Sequence, residues 1–355
     1  MASARLADHK RNYSLVGPDA LRADERGLAG ADWYASPVPR KQMKELMRRK
    51  DGPAIRDTLL WLGIMILCAG LGIHFWGSWL AVPFFIVYGV LYGSASDSRW
   101  HECGHGTAFK TRWMNDAVYH LACFMIMREP TVWRWSHTRH HTDTIIVGRD
   151  PEISAKRPPD IAGMLLNLFA LKSSYFALKK LALHAAGRLT DEEKTFIPEM
   201  EQHKVYLVAR VYLAILLAVA ALSIGLHSWL PAMLIGLPTL YGGGLTIVYG
   251  LTQHAGLSED VLDHRLNSRT VMMNPISRFI YWNMNYHIEH HMFPMVPYHA
   301  LPALHEAIKG ECPAAYPNMF AAYREIIPAL LKQRRDPDFY VRRELPVAAK
   351  VAQTA

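Results

Sequence analysis

Cysteine is scarce in this sequence, and its positions do not suggest disulfide bonds. Only four of the 355 residues are cysteine, and their irregular spacing fits free thiols in a reducing compartment. The first 56 residues are polar and lack the apolar core of a signal peptide, so we expect no cleavable leader. The chain also lacks a Gly-x-Gly-x-x-Gly fingerprint, which argues against a flavin or nicotinamide site of its own.

Motifs typical of nucleic-acid-binding proteins are missing as well, although the formal net charge is +8. The basic residues do not alternate with aromatic residues, so we do not expect nucleic acid as a partner. Hydrophobic residues make up 51% of the chain and charged residues 20%, and the two kinds are strongly segregated. Basic loops beside membrane-spanning helices explain this distribution better.

Four apolar runs are each close to the length needed to cross a bilayer. They cover residues 58–75, 79–95, 206–226 and 232–252, and three consecutive glycines interrupt the last run. The predicted fold class is therefore an all-α, multi-pass membrane protein with four transmembrane helices. Buried helices of a large soluble protein are the alternative, which the pairing of the runs through uncharged hairpins disfavours.

The loops predict the orientation of these spans. The connections at residues 77–78 and 227–231 contain no Lys or Arg, whereas the other segments outside the spans are basic. By the positive-inside rule, both termini and the middle segment lie in the cytoplasm, which indicates a bacterial-type inner membrane. Lipid is then one partner of the chain.

We divide the chain into a cytosolic segment 1–56, a membrane domain 57–310 and a cytosolic segment 311–355. Cytosolic helices are predicted to form a cap over the membrane helices. The apolar segments 116–127 and 161–176 are predicted to lie at the membrane interface or to re-enter it. Residues 1–30 and 345–355 are expected to be mobile tails.

Nine of the 18 histidines form three clusters and one outlier. Residues at i, i+3 and i+4 share one face of a helix, so each cluster can direct its imidazoles at one point. All of them fall on the predicted cytoplasmic side. The spacing predicts the ligand shell of two metal ions, formed by His101, His105, His137, His140, His141, His254, His287, His290 and His291.

The number of histidines indicates which metal they bind. A zinc site is satisfied by about four ligands, whereas nine imidazoles fit two iron ions that keep positions open for dioxygen. Zinc can replace iron in a purified sample. Carboxylates are expected to orient the rings and offset the metal charge, and the candidates are Asp97, Asp143, Asp150, Glu152 and Glu289.

The three motifs resemble those of the membrane-bound fatty-acid desaturase and hydroxylase superfamily. The matching stretches are residues 100–106, 135–142 and 285–305, within a resemblance that covers roughly residues 55–310. The resemblance implies a mushroom-shaped helical fold, a di-iron centre held by the nine histidines, dioxygen as co-substrate and an external electron donor. One departure is Gly250, which stands where the acyl-CoA desaturase branch has an Asn that holds a metal-bound water.

Residues 127–152 are similar to the branch that includes the rhizopine-catabolism oxygenase. That branch implies oxidative O-demethylation of a small methoxylated inosamine with release of formaldehyde, and a Rieske-type ferredoxin with its reductase as donor. The alternatives within the superfamily are a fatty-acyl desaturase and a hydroxylase, with an acyl chain as substrate and another ferredoxin as donor. We predict O-demethylation.

Two other classes of protein fit part of the pattern. His101 to His105 satisfies the His-Glu-x-x-His motif of zinc metalloproteases, with Glu102 as general base. That interpretation leaves both His-x-x-His-His clusters unexplained. A metal transporter would place its polar ligands within the spans, but here they lie beyond the span ends.

Overall fold

The computed structural model describes residues 11–346, and this part of the chain is all-helical, as predicted. No β-strand occurs among these residues, although isolated bridges join Thr270 to Tyr286 and Val271 to Tyr316. The helices of the first part are α1 (Pro18–Glu25), α2 (Arg40–Leu46), α3 (Asp51–His74), α4 (Ala81–Gly93), α5 (Ala95–Gly104), α6 (Arg112–Met125) and α7 (Pro130–Thr142).

The remaining helices include one long helix and many short ones. Three 3₁₀ turns, Asn167–Phe169, Tyr298–Ala300 and Lys309–Glu311, accompany them. The α-helices are α8 (Ile161–Leu166), α9 (Leu171–Ala185), α10 (Asp191–Lys194), α11 (Glu199–Gly225), α12 (Leu230–Leu234), α13 (Pro238–Gly242), α14 (Gly244–His254), α15 (His264–Asn267), α16 (Pro275–Tyr281), α17 (His287–Met292), α18 (Leu301–Ile308) and α19 (Met319–Arg335).

Two helices of the described chain are long and apolar enough to cross a membrane, one within Arg40–His74 and the other Glu199–Gly225. They correspond to the first and third predicted spans. Their apolar side chains point outward, as Ile66 (69% exposed) and Ile224 (74% exposed) illustrate. This exposure suits a lipid environment, because lipid needs no polar cover on a helix.

A third candidate span is bent. Ile161–Phe169 and Leu171–Ala185 are apolar enough together, but they meet at an angle of 83°. The break is at Ala170, whose backbone is left-handed (φ 49°). This geometry fits the predicted re-entrant or interfacial character of residues 161–176.

The second and fourth predicted spans are not long single helices. The second forms the 13 residues of α4 and then turns at Ser94 into α5, and the fourth is divided among α12, α13 and α14. The two breaks lie against each other, because the Ser94 hydroxyl donates to the carbonyl of Gly242 (2.5 Å) and accepts the N–H of Leu245 (3.1 Å). Two of the four predicted spans are therefore long single helices, and the bent pair is a further candidate that was not among the four.

Glycines allow this close packing of α4 and α13. A Cβ placed on Gly242 would lie 1.8 Å from the carbonyl carbon of Gly89, and one on Gly93 would lie 2.9 Å from the nitrogen of Gly243. The backbones approach closely only because side chains are absent at this crossing. The crossing carries α5 and α14, which both bear histidines, to the same end of the helix bundle.

Arg99 connects the first histidine helix to the segment that carries the last cluster. Its buried guanidinium donates to the backbone carbonyls of Ile280 (2.5 Å), Phe279 (3.0 Å) and Ala95 (3.0 Å). The ring of Trp282 covers it at 4.9 Å. Because a buried cation needs such partners, this contact fixes α5 against the end of α16.

The N-terminal segment packs on the loop that follows α14. Arg11 and Tyr13 donate to the two carboxylate oxygens of Glu259 at 2.8 and 2.7 Å. Residues 11–30 of the predicted tail thus make specific contacts and include α1. Residues 1–10 and 347–355 of the predicted tails lie outside the described residues.

Candidate metal centre

The structure brings all nine predicted histidines together in two adjacent groups. Within each group, one possible ligand atom from every histidine lies within 4.8 Å of the others. Group 1 consists of His101, His105, His137, His141 and His290, and group 2 consists of His140, His254, His287 and His291.

The two His-x-x-His-His motifs serve the groups in opposite ways. In α7, the pair at i and i+4, His137 and His141, belongs to group 1, and His140 belongs to group 2. In α17, the i, i+4 pair belongs to group 2 and the middle residue, His290, to group 1. Around the helix axis, positions i and i+4 are about 40° apart, whereas i+3 and i+4 are about 100° apart. Neighbouring histidines of one helix can therefore point to different groups.

Imidazole nitrogens crowd at the middle of each group. In group 1 the Nε2 atoms of His105 and His141 lie 3.1 and 3.2 Å from Nε2 of His137. In group 2 the Nε2 of His287 lies 2.9 Å from that of His254 and 3.0 Å from that of His291. Neighbouring ligands of one metal ion are roughly 3 Å apart when each metal–nitrogen bond is about 2.1 Å. The spacing therefore fits a cation in each group.

Two of the five predicted acids hold ligand histidines by the opposite ring nitrogen. Nδ1 of His140 lies 2.8 Å from Asp150, and Nδ1 of His137 lies 2.9 Å from Glu152. An acceptor at Nδ1 fixes the proton there and leaves the Nε2 lone pair free to bind metal. These contacts fix both the tautomer and the orientation of the rings.

The other three predicted acids point elsewhere. Asp97 pairs with Arg128 at 3.1 Å, and Asp143 pairs with Arg149 at 3.1 Å. Glu289 contacts the hydroxyl of Thr270 and the ring of His305 instead of a histidine of either group. The arginines explain the placement of Asp97 and Asp143, because an arginine attracts a carboxylate more than a neutral imidazole does.

Glu102 is not among the five predicted acids; its motif predicts a base in a protease, and a supporting or surface residue in an oxygenase. It is fully buried, and its Oε1 lies 3.7 Å from Nδ1 of His101 and 3.6 Å from Nδ1 of His290. Its other oxygen accepts the N–H of Tyr298 (3.0 Å). These three facing atoms are buried without a hydrogen-bond partner, so a small movement would let one carboxylate hold two rings of group 1.

Backbone and hydroxyl groups complete the support of group 2. Nδ1 of His254 lies 2.7 Å from the carbonyl oxygen of Asn267, and Nδ1 of His291 lies 3.2 Å from the hydroxyl of Thr144. The sequence offered no signal for these contacts, since Asn267 ends the four-residue helix α15 and Thr144 lies in the loop after α7. His264 is also close: its ring lies 5.1 Å from His291 and stacks on Trp33 at 4.2 Å.

Burial keeps most of these rings neutral. Desolvation and the neighbouring imidazoles lower the pKa of His105 to about 4 and hold the pKa values of His137 and His290 well below their usual range. Burial would also lower the pKa of His140, but the Asp150 carboxylate outweighs it and raises that pKa. Neutral imidazole is the form that binds metal, so the lowered pKa values favour ligation.

Burial acts on the supporting acids in the opposite direction. It raises the pKa of Glu102 to about 8, against the lowering effect of hydrogen bonds from Tyr298 and Thr107. It also raises the pKa of Glu152 to about 7. Carboxylates in such surroundings are stabilised by a nearby positive charge. A metal cation within the groups would supply that charge.

Comparison with known families agrees with this geometry. The family model described as Fatty acid desaturase matches residues 77–323, which is more than half of the chain. The chain belongs to the fatty acid desaturase family. The superfamily resemblance predicted from the histidine motifs is thereby confirmed. Members of this family are di-iron oxidoreductases that use dioxygen.

Several curated members of the fatty acid desaturase family are similar to this chain. A Delta(5) fatty acid desaturase, fat-4, of Caenorhabditis elegans is 26% identical over 239 residues, covering 59% of this chain and 53% of that protein. The fatty acid conjugase FAC2 B of Calendula officinalis is 26% identical over 277 residues, covering 69% of this chain and 73% of that protein.

Some similarities are shorter. An sn-1 acyl-lipid omega-3 desaturase (ferredoxin) of Nostoc sp. is 32% identical over 96 residues, covering 27% of this chain and 25% of that protein. The matches thus span about half or less of the first two relatives, from Caenorhabditis and Nostoc.

Gly250 remains a departure from the acyl-CoA branch of the superfamily. A Cβ placed at this position would meet nothing within 4 Å. Packing therefore leaves room for a side chain here, and the absence of one is a property of this sequence rather than a steric requirement.

The placement of Glu102 disfavours the metalloprotease interpretation. A general base must reach water on the metal-facing side of the histidines. Glu102 instead lies behind His101 and His290, beside their Nδ1 atoms.

Proposed function

We propose that this chain is a membrane-bound di-iron enzyme that uses dioxygen to oxidise an unactivated C–H bond of a fatty-acyl substrate. The observation that carries the proposal is the convergence of nine imidazoles into groups of five and four. All nine histidines named above are the proposed ligands. Two iron ions bound there would supply the chemistry that reduces dioxygen and removes hydrogen from carbon.

The protein's own groups position and protect this chemistry. Asp150 and Glu152 hold rings of the two groups in the metal-binding tautomer, at 2.8 and 2.9 Å. Glu102 is placed to hold two further rings of group 1. Burial excludes water from most of the ligand shell and makes each supporting charge more effective. These residues set geometry and charge, and they do not react themselves.

Group 2 is the side on which we place the open coordination positions. It has four histidines where group 1 has five, and Gly250 supplies no side chain near it. An ion bound by fewer protein ligands retains more positions for oxygen or substrate.

The fatty-acyl substrate is favoured by the relatives. The proteins from Caenorhabditis and Calendula are a fatty acid desaturase and a fatty acid conjugase by name. O-demethylation of a small methoxylated inosamine stays a second candidate, because Gly250 departs from the acyl-CoA branch and residues 127–152 resemble the rhizopine branch. A hydroxylated methoxy carbon would break down to formaldehyde and an alcohol.

The electron donor is proposed to be a ferredoxin. Relatives from Nostoc and Synechocystis are ferredoxin desaturases by name. This chain has no flavin or nicotinamide fingerprint, so its electrons come from another protein. A Rieske-type ferredoxin with its reductase is one such donor, and a plant-type ferredoxin is another.

The topology proposed is four crossings of a bacterial inner membrane, with both termini and the histidines in the cytoplasm. Besides α3 and α11, α4 with the start of α5 and the broken series α12 to α14 would make the other two crossings. A cysteine placed at Ser78 or Ser228 should then react with an impermeant reagent from outside. A cysteine placed at Thr142 should be protected, and its labelling from outside would refute this orientation.

Product analysis tests the activity. The iron-loaded membrane protein, with ferredoxin, reductase and labelled dioxygen, should introduce a double bond or hydroxyl group into an acyl lipid. Formaldehyde from a methoxylated inositol amine would select the second candidate instead. Protein that holds about two irons, the number set by two ligand groups, yet consumes no dioxygen with any of these substrates would refute the proposed function.

A further inference from the structure

A cavity of about 340 Å³ opens onto group 1 from the protein surface. His105 lines this cavity and is half-buried, whereas His101, His137 and His290 are buried. The walls are polar and charged, and they carry four cations: Arg49, Lys110, Arg112 and Arg134. The cavity thus reaches the proposed metal shell where one ligand ring approaches solvent, through a positively charged opening.

A wider depression of about 610 Å³ shares Arg49 and Lys110 with this cavity. Its other lining residues are Met47, Arg48 and Lys50. The two hollows therefore adjoin each other. We call their lining residues together the basic surface.

A specific contact assembles the basic surface from two distant segments. The carboxylate of Asp51 accepts the backbone N–H and the hydroxyl of Thr111, both at 2.8 Å. This contact holds the chain before α3 against the chain before α6, although the two residues are 60 positions apart. The positive-inside rule explains basic residues before a span, but it does not explain why cations of the second segment join them.

Six cations line the two hollows, and Asp116 is the one acid among their lining residues. Lys50, Lys110 and Arg112 are exposed and have no ion pair within residues 11–346. Arg134 pairs loosely with Asp116 at 3.4 Å, and Arg48 approaches Glu45 only to 3.9 Å. Exposed pairs at such distances contribute little, so the surface presents a net positive field.

We propose that the basic surface is the docking site of an acidic ferredoxin that reduces the metal centre, an inference that rests on the proposed function. An acidic protein complements its charge, and electrostatic steering would speed the encounter. His105 lines the cavity and belongs to group 1, so it offers a short path from the docked cluster. Each encounter would supply one electron by oxidation of one ferredoxin cluster, so two encounters would be needed to reduce a centre of two ferric ions.

The alternative occupants fit less well. An acyl substrate needs a mostly apolar channel, and five of the ten residues that line this cavity carry a charge. A single lipid headgroup would need far less area than two adjoining hollows provide. The test below also distinguishes ferredoxin from anionic lipid as the occupant of the basic surface.

The test uses charge reversal at two exposed, unpaired positions. Lys110→Glu and Arg112→Glu are combined to change the basic surface, and Arg324→Glu on α19 is the control, since it makes the charge change of either single reversal at an exposed cation outside both hollows. The iron-loaded proteins in zwitterionic nanodiscs are mixed with a reduced, acidic [2Fe–2S] ferredoxin, and the loss of the ferric absorption is followed by stopped flow. Dithionite at high salt, which needs no docking, replaces ferredoxin in a parallel series.

At low ionic strength we expect the double reversal to slow reduction by ferredoxin at least about tenfold and to flatten its dependence on salt. Reduction by dithionite and the iron content should stay within about twofold of the unmodified protein, as should every rate of Arg324→Glu. If the double variant is reduced by ferredoxin as fast as the control, the docking site is refuted while the proposed function stands.

Two other outcomes also decide the matter. If ferredoxin fails to reduce even the unmodified protein, which dithionite does reduce, the ferredoxin part of the proposed function fails and the docking site with it. Vesicles that contain phosphatidylglycerol provide the second comparison. If the double variant loses binding to these vesicles but keeps its rate with ferredoxin, the basic surface belongs to the membrane and the proposal is wrong.

Discussion

Asp150 holds His140 through a 2.8 Å contact between its carboxylate and Nδ1 of the ring. The same oxygen accepts the N–H of Ile145 (2.7 Å), and the other oxygen accepts the N–H of Glu152 (2.7 Å). The backbone thus fixes the carboxylate before any metal binds. A ligand supported in this way loses little conformational freedom on coordination, which raises metal affinity.

The first prediction concerns this contact. Asp150→Asn keeps the shape but removes the charge and one acceptor site, so the iron affinity of group 2 should fall about 10- to 100-fold. Competition with an iron chelator measures the change. Asp191→Asn, at an exposed acid that pairs with Lys194, should leave iron binding unchanged. An unaltered affinity in Asp150→Asn would mean that this carboxylate does not support the site.

The second prediction uses the crossed assignment of the two motifs. His140→Ala and His254→Ala should each damage group 2, whereas His141→Ala and His290→Ala should each damage group 1. We expect each variant to retain about one iron per chain, with one Mössbauer signature for the first pair and another for the second. His120→Ala, at an exposed ring outside both groups, is the control. Signatures that follow the sequence motif instead of the spatial group would contradict the assignment.

Glu102 distinguishes an oxygenase from a protease. Glu102→Gln retains an acceptor for the Tyr298 N–H but removes the charge that faces two ring nitrogens. The rate of substrate oxidation should fall by about 10- to 100-fold without vanishing, and the Mössbauer parameters of group 1 should shift. Glu306→Gln, at an exposed acid, should change neither. Complete loss of activity with unaltered iron spectra would instead indicate that Glu102 acts directly in the reaction.

The sequence predicted the residues of the centre better than their arrangement. Helical spacing singles out eight of the nine histidines, because i, i+3 and i+4 positions are neighbours on a helix, and His254 joins them through the family resemblance. It could not assign them to two groups, since His140 and His141 are adjacent in sequence yet belong to different groups. That division depends on how α7 and α17 face each other, which is a tertiary property.

The acids and the spans show the same limit. Asp97 lies one turn before His101, as an orienting acid would, but Arg128 from another segment binds it. Glu102 looked like a catalytic base because its motif is local, and its true surroundings come from α17 and the Tyr298 segment. The apolar run 232–252 has the composition of a span, and Gly242 approaches Gly89 closely at the break between α13 and α14.

The fourth prediction concerns the acid stability of the loop between α9 and α11. Burial would raise the pKa of Glu193, but the His184 hydrogen bond (3.1 Å), Lys180 (3.0 Å) and the Thr190 cap lower it to about 2. A depressed carboxyl pKa stabilises the fold above its unfolded value near 4.5, and this stabilisation is lost as pH falls from there towards about 2.

Glu193→Gln should therefore lower the thermal unfolding temperature at pH 7 and lower it less at pH 3, where the unmodified protein has lost part of the same stabilisation. Differential scanning fluorimetry in detergent measures both. Glu192→Gln, beside it in α10 but exposed, is the control. Equal destabilisation by Glu193→Gln at both pH values would show that packing, not charge, accounts for the effect.

The last prediction tests the glycine crossing that aligns the two histidine-bearing helices. A Cβ on Gly242 would lie 1.8 Å from the backbone of Gly89, which is far inside van der Waals contact and cannot be relieved by a side-chain rotation. Gly242→Ala must therefore separate α4 from α13, and overpacking of this kind costs at least about 1–3 kcal/mol. Gly225→Ala at the end of α11 is the matched control, because its Cβ would meet nothing within 4 Å and alanine is the better helix former.

We expect Gly242→Ala to unfold at a lower temperature and to bind less iron, since α5 and α14 would lose their common position. The unfolding temperature and iron content of Gly225→Ala should match or exceed those of the unmodified protein. Equal unfolding temperatures and iron contents in the two variants would mean that the crossing does not determine the geometry of the metal centre.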